Sequence, residues 1–142
     1  MMTFDQFTAT LTRSMATTIP RLEVGLDKVG ELAQTLAASY PGHERSEWAP
    51  LADSTLEDKR KHGWPVPSPL KRTGDMADSV EKELDASALE VVVGSREMKA
   101  LWQEMGTPHI PPRPFLALGM KNTLPYAEDV FGEIAIKILS GK

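Results

Sequence analysis

Apolar residues recur at helical spacing through the first forty positions. Phe4, Phe7, Leu11 and Met15 fall on one helical face, and Thr3 and Gln6 have the spacing of a capping box. Pro20 reads as a break, or as the first-turn proline of a second helix. Beyond it Leu22, Leu26, Val29, Ala33, Leu36 and Tyr40 form a nearly unbroken stripe, with Arg21, Glu23, Asp27, Lys28, Glu31 and Gln34 off it. This predicts a helix of about five turns with one buried face. Pro41-Gly42 ends it.

The pattern then lapses. Residues 41–75 hold five of the chain's 11 prolines and few spaced apolar positions. A short helix fits around Ser54–His62, capped by Asp53 or Ser54 with Leu56 inward. The remainder reads as a long extended, mobile loop, and loops of that length call for a functional or disorder explanation. In Met76–Gly94 the spacing is ambiguous. Val91-Val92-Val93 reads as a strand. Met76, Val80 and Leu84 fit either a helix or a strand whose alternate positions carry Asp78 and Lys82, with Asp85-Ala86-Ser87 as a possible hairpin turn. Ser95 suits the cap of a short helix over Arg96–Met105, closed by Gly106. Four prolines within residues 108–114 forbid helix and central strand there, and Phe115–Leu118 is placed at a sheet edge. The last element, about Leu124–Leu139, is an amphipathic helix through Ala127, Val130, Phe131, Ile134, Ile138 and Leu139, with Glu128 and Asp129 in its first turn and Lys137 in its last.

Composition narrows the class. A chain of 142 residues with 41% hydrophobic and 25% charged residues is sized and balanced for one globular domain, 1–142. The absence of cysteine excludes disulfides and thiolate zinc sites. The N-terminus lacks a secretory pattern, and no apolar run nears the ~18 residues of a membrane span, so no membrane partner is expected. A net charge of −4 argues against a general nucleic-acid coat. The acidity is concentrated in residues 76–119, which carry 4 basic and 7 acidic groups.

Candidate chemistry is thin. His43, His62 and His109 share no metal-ligand spacing, and there is no Gly-rich phosphate loop or nucleophile motif, so no metal, cofactor or catalytic set is expected. Acidic neighbours such as Glu57-Asp58 diverge by ~100° on a helix and do not share a site. Lys59-Arg60-Lys61, with Lys71-Arg72, is a candidate phosphate contact, against a charged helix face or a contact with an acidic protein. Trp48 and Trp64, in the proline-rich loop, either pack back on the domain or anchor a subunit interface.

Three blocks remain: Trp48-Ala49-Pro50-Leu51 with Thr55 and Lys59; Pro69-Leu70-Lys71-Arg72-Thr73-Gly74-Asp75-Met76 with Ser79; and Glu104-Met105-Gly106-Thr107 followed by Ile110-Pro111-Pro112-Arg113-Pro114-Phe115-Leu116. In this order they resemble the virion-morphogenesis (tail-completion) proteins of tailed phages, similar in turn to the neck and connector proteins of long-tailed phages. The likeness spans about residues 46–119, with Ile110–Leu116 its most specific part. Lys99–Met105 departs from the family, which often carries a Tyr-Ala step and a histidine before the Gly-Thr.

The resemblance implies an α+β fold in which a long N-terminal helix packs on a small, mainly antiparallel sheet. It favours a hairpin at Met76–Gly94 and a further strand after the proline block. It also implies a homo-oligomeric ring, commonly sixfold, at the head–tail junction of the virion. The partners would be neighbouring neck and tail proteins, with DNA passing unbound and assembly in the bacterial cytoplasm. Trp48, Leu51, Trp64, Ile110, Arg113 and Phe115 are then candidate interface residues, Arg113 through a bidentate bond to a carboxylate. In such a ring the 41–75 loop is expected to order on assembly, and the acidic hairpin either faces the channel or is a solvated sheet face. The rivals are an assembly factor absent from the finished particle and a nucleic-acid-binding accessory protein.

Overall fold

The computed structural model describes residues 1–142. Helix α1 runs unbroken over Phe4–Ser39, and the Thr3–Gln6 capping box closes its start with both reciprocal bonds present. Pro20 therefore lies inside one helix and does not divide two. It lacks the N–H that would bond four residues back, yet helix continues because both flanks are held: Ser14 before it and Gly25 after it are buried. The hydroxyls of Thr17 and Thr18 both donate to the Ser14 carbonyl in this turn.

Helix α2 spans Asp53–Lys61 and α3 is the single turn Asp75–Asp78. Ala52 occupies the N-cap of α2 and no side chain caps it, so Asp53 acts only as a first-turn acid. The hairpin follows as β1 (Val80–Asp85) and β2 (Glu90–Ser95), antiparallel, with Val80 opposite Ser95 and Asp85 opposite Glu90. Its turn is set by Asp85, whose Oδ1 accepts from the Ser87 amide and hydroxyl and from the Ala88 amide. Met76 belongs to the helical turn before the hairpin, not to the strand. On the inner face Lys82 reaches Asp27 of α1 at 2.6 Å, and Gln34 Nε2 donates to the Val80 carbonyl at 2.9 Å. These bonds fix which face of the hairpin meets α1.

Helix α4 spans Met98–Met105 and ends at Gly106, whose φ of 76° suits a residue without Cβ. Helix α5 spans Leu116–Leu139, so Phe115–Leu118 begins a helix and no further strand exists; the sheet has two strands. The reason lies in Glu104. Its carboxylate accepts from the amides of Phe115, Leu116 and Ala117 at 2.8–2.9 Å, satisfying the first N–H groups of α5. Pro125 sits inside α5 on its exposed side, and Glu128 and Asp129 lie mid-helix, not in the first turn.

The molecule is α+β, with α1 and α5 antiparallel along each other and the hairpin against α1. The helices meet through small residues. Gly119 lies on Ala37, and a Cβ there would stand 2.8 Å from the Ala37 Cβ and 3.0 Å from its backbone. Gly25 lies under Val130, Phe131 and Ile134. The core gathers at one end, where Ala37, Tyr40, Trp48, Val80, Ala100 and Phe115 pack together.

Candidate functional site

The three motif blocks meet at that core end. Arg113, only 5% exposed, donates from Nε to the Ala49 carbonyl (3.0 Å) and from Nη2 to the Pro50 carbonyl (3.1 Å). Trp48, 6% exposed, returns the tie: its indole Nε1 donates to the Pro114 carbonyl at 3.1 Å. The Arg113 amide donates to the Gln103 carbonyl at 2.7 Å. The first and third blocks are thereby clasped from both sides, and Phe115 is fully buried beneath them.

Arg113 finds carbonyl partners and no carboxylate. Trp48, Arg113 and Phe115 were candidate interface residues, with packing on their own domain the alternative for Trp48 and Arg113. The fold turns all three into their own subunit: Trp48 and Arg113 satisfy carbonyls of proline-containing segments that have few N–H groups to pair with, and Phe115 packs in the core. Burial pushes the Arg113 pKa below the usual guanidinium range, and the group stays charged at any neutral pH.

Lys59 closes the second junction. Its ammonium lies 2.9 Å from the Pro65 carbonyl, 2.6 Å from Ser68 and 2.7 Å from Lys71, with Pro67 at 3.4 Å. Three protons are shared among four acceptors, so nothing remains for a phosphate, and Lys59 leaves the set of candidate phosphate contacts. Burial, and then the charge of Arg72, pushes its pKa down. The wrap around it uses left-handed backbone at Ser68 (φ 24°) and Leu70 (φ 61°). Such conformations cost roughly 1–3 kcal/mol each, which the ammonium's bonds help to offset. The 65–71 segment is thus wrapped around Lys59 of α2 within the subunit.

The remaining basic candidates lie outside. Arg72 sits 4.6 Å over the Trp64 ring and 3.7 Å from Asp58, while His62 stacks on Trp64 at 4.5 Å between centroids. Lys61 pairs with Glu57, and Lys71 lays its stem over Gly42. Arg60 is exposed. Leu51, Trp64 and Ile110 are half-buried. The hairpin's outer acids Glu81 and Glu83 both pair with Arg96, which neutralises part of the middle segment's acidity. His43, His62 and His109 stand apart on the surface, and no three metal-ligating side chains converge. No helix is long and apolar enough to cross a membrane.

Two apolar surfaces lie apart from these residues. One is the Phe4–Ile19 part of α1, where Phe4, Phe7, Leu11, Met15 and Ile19 are all exposed. The other is the outer face of α4, with Met98, Leu101, Trp102 and Met105 exposed. The first carries a visible helical stripe, but such a stripe ordinarily marks a core face, and only the fold shows it uncovered.

The chain matches no known family model, no curated protein and no solved structure.

Proposed function

We propose that the chain is a structural protein of a tailed phage or prophage, acting in tail completion and in joining tail to head as a subunit of a ring at the neck. The observation that supports this reading is the convergence of the three resembling blocks. Arg113 with Ala49 and Pro50, and Trp48 with Pro114, tie segments more than 60 residues apart, and Lys59 donates to the nearby carbonyls of Ser68 and Lys71. The three blocks thus build one structural unit, the loop-rich end of the domain, in keeping with a likeness that is confined to them.

Joining two preformed assemblies asks for a rigid body with contact surfaces, and bonds of this kind supply rigidity at the loop-rich end. Catalysis is not needed, and the role assigns no residue to it.

Deleting the gene from a competent phage tests the reading. Unjoined full heads and tails, or defective tails, are expected; normal infectious particles would refute it. Finding several copies per purified virion is expected, whereas absence from the finished particle would convert the role to that of an assembly factor.

A further inference from the structure

The two uncovered apolar surfaces differ in place but match in size. The small seam residues Ser14 and Gly25 let α5 approach α1 closely, leaving the bulky residues of the α1 stripe beside the seam. Phe4 is 81% and Met15 65% exposed, and Phe7, Leu11 and Ile19 about half. On α4, Met105 is 72% exposed, with Met98, Leu101 and Trp102 again about half. At about 200 Å² per large side chain, each surface exposes roughly 500 Å² of apolar area, near the upper end for one patch on a monomer. With polar margins, each approaches the ~800 Å² that one partner gives to a stable interface.

Their positions exclude mutual burial within one subunit. Ala100 of α4 packs with Ala37, and Leu11 lies 26 residues before Ala37, about 39 Å along the same helix. The acid Asp5 flanks the α1 stripe and the base Lys99 flanks the α4 face, neither with a salt bridge in the subunit. Two unlike, size-matched surfaces at opposite ends of a subunit are what a head-to-tail contact needs, and repeating that contact closes a ring or extends a filament.

We propose that the exposed stripe of α1 docks on the α4 face of a second copy of this chain. The contact covers both apolar surfaces and brings Asp5 towards Lys99. It rests on the ring reading above, and it names the surfaces by which copies join.

Full-length protein carrying Leu11→Glu, and separately Leu101→Glu, tests this by sedimentation and native mass spectrometry, with urea unfolding to verify each fold. Wild type is expected to self-associate. Each variant is expected to weaken association about 100-fold or more, since charge is driven into a desolvated contact. An equimolar mixture of the two variants is expected to give heterodimers and nothing larger, because one intact pair of surfaces remains. A second substitution pair, Met15→Lys and Met105→Lys, is expected to repeat the pattern.

Wild type that stays monomeric at all concentrations would overturn the proposal and point to another protein as the occupant. Dissociation by Leu11→Glu alone would also overturn it, in favour of α1 pairing with α1. A phage that fails to join heads and tails on deletion, with a monomeric protein, would sink the docking proposal and leave the ring-independent part of the role standing. A protein that associates as described but whose deletion leaves infection normal would do the reverse.

Discussion

The core end of the molecule and the free end of α1 treat their large side chains in opposite ways. At the core end Trp48, Arg113 and Phe115 come from stretches whose prolines and polar residues suggest exposure, yet all three are buried, and Trp48 and Arg113 donate to their own subunit's carbonyls. At the other end Phe4, Phe7, Leu11 and Met15 form the regular stripe expected of a core helix, and they face outward. The difference lies in who supplies the partner. Proline-rich backbone offers carbonyls with few N–H groups to meet them, so donors fixed elsewhere in the same chain are drawn in. A stripe of methyl and phenyl groups has no such local claim on its neighbours and stays open until a surface of similar character arrives.

That contrast is broken most severely by Arg113→Ala. Two carbonyls lose their only side-chain donor, and the expected destabilisation is about 3 kcal/mol by urea unfolding. Arg113→Lys recovers no more than part of this, because an ammonium cannot present the planar fork. Leu11→Glu in the open stripe shifts the monomer's stability by less than ~0.5 kcal/mol. Equal losses at the two sites would erase the distinction between the ends.

Lys59→Met comes next. It fits a similar volume but leaves the carbonyls of Pro65, Ser68 and Lys71 without their donor, for an expected loss of about 2 kcal/mol. Proteolysis within 62–71 is expected to accelerate in this variant, since the wrap loses its centre. An unchanged cleavage rate would show that the loop is held by something else.

The helix seam sharpens the comparison on a smaller scale. Gly119→Ala sets a methyl against Ala37 and is expected to cost about 1.5 kcal/mol. Gly132→Ala on α5 meets nothing within 4 Å and is expected to stabilise by up to ~1 kcal/mol. Thermal melts of the two variants should therefore move in opposite directions.

The smallest effect is electrostatic. Hydrogen bonds from the Ser87 hydroxyl, the Ala88 amide and the Ser87 amide hold the Asp85 carboxyl below the usual aspartate range. A carboxyl whose pKa is lowered by folding contributes stability above its unfolded value, and loses it as pH falls through its folded one. The stability gap between wild type and Asp85→Asn should accordingly shrink between neutral pH and the acid side of that range. A gap that stays constant would remove the turn carboxylate from the account.

Much of the fold was legible in the pattern. The capping box, the Leu22–Tyr40 stripe, the Val91–Val93 strand and the Pro41-Gly42 stop each carry a local signal that tertiary packing does not reverse. What escaped was non-local. Pro20 read as a boundary because the cost of a proline in a helix is local, while the packing that overrides it comes from the facing helix. The start of α5 at Leu116 depended on Glu104, 12 residues upstream of it. For the site residues, composition marked Trp48, Lys59 and Arg113 as unusual, but their roles depended on which carbonyls the fold brought near. The open stripe was visible as a stripe, and nothing in its spacing could reveal that no element of the same chain covers it.

The most direct test is amide hydrogen exchange on the full chain at concentrations where it is single and where it is associated. Added protection is expected on association in residues 4–19 and 98–105, with little change around 48–51 and 110–116, which are already held in the free subunit. Protection gained instead at 48–51 and 110–116, with residues 4–19 unchanged, would contradict this and return the contact surface to the proline-rich blocks.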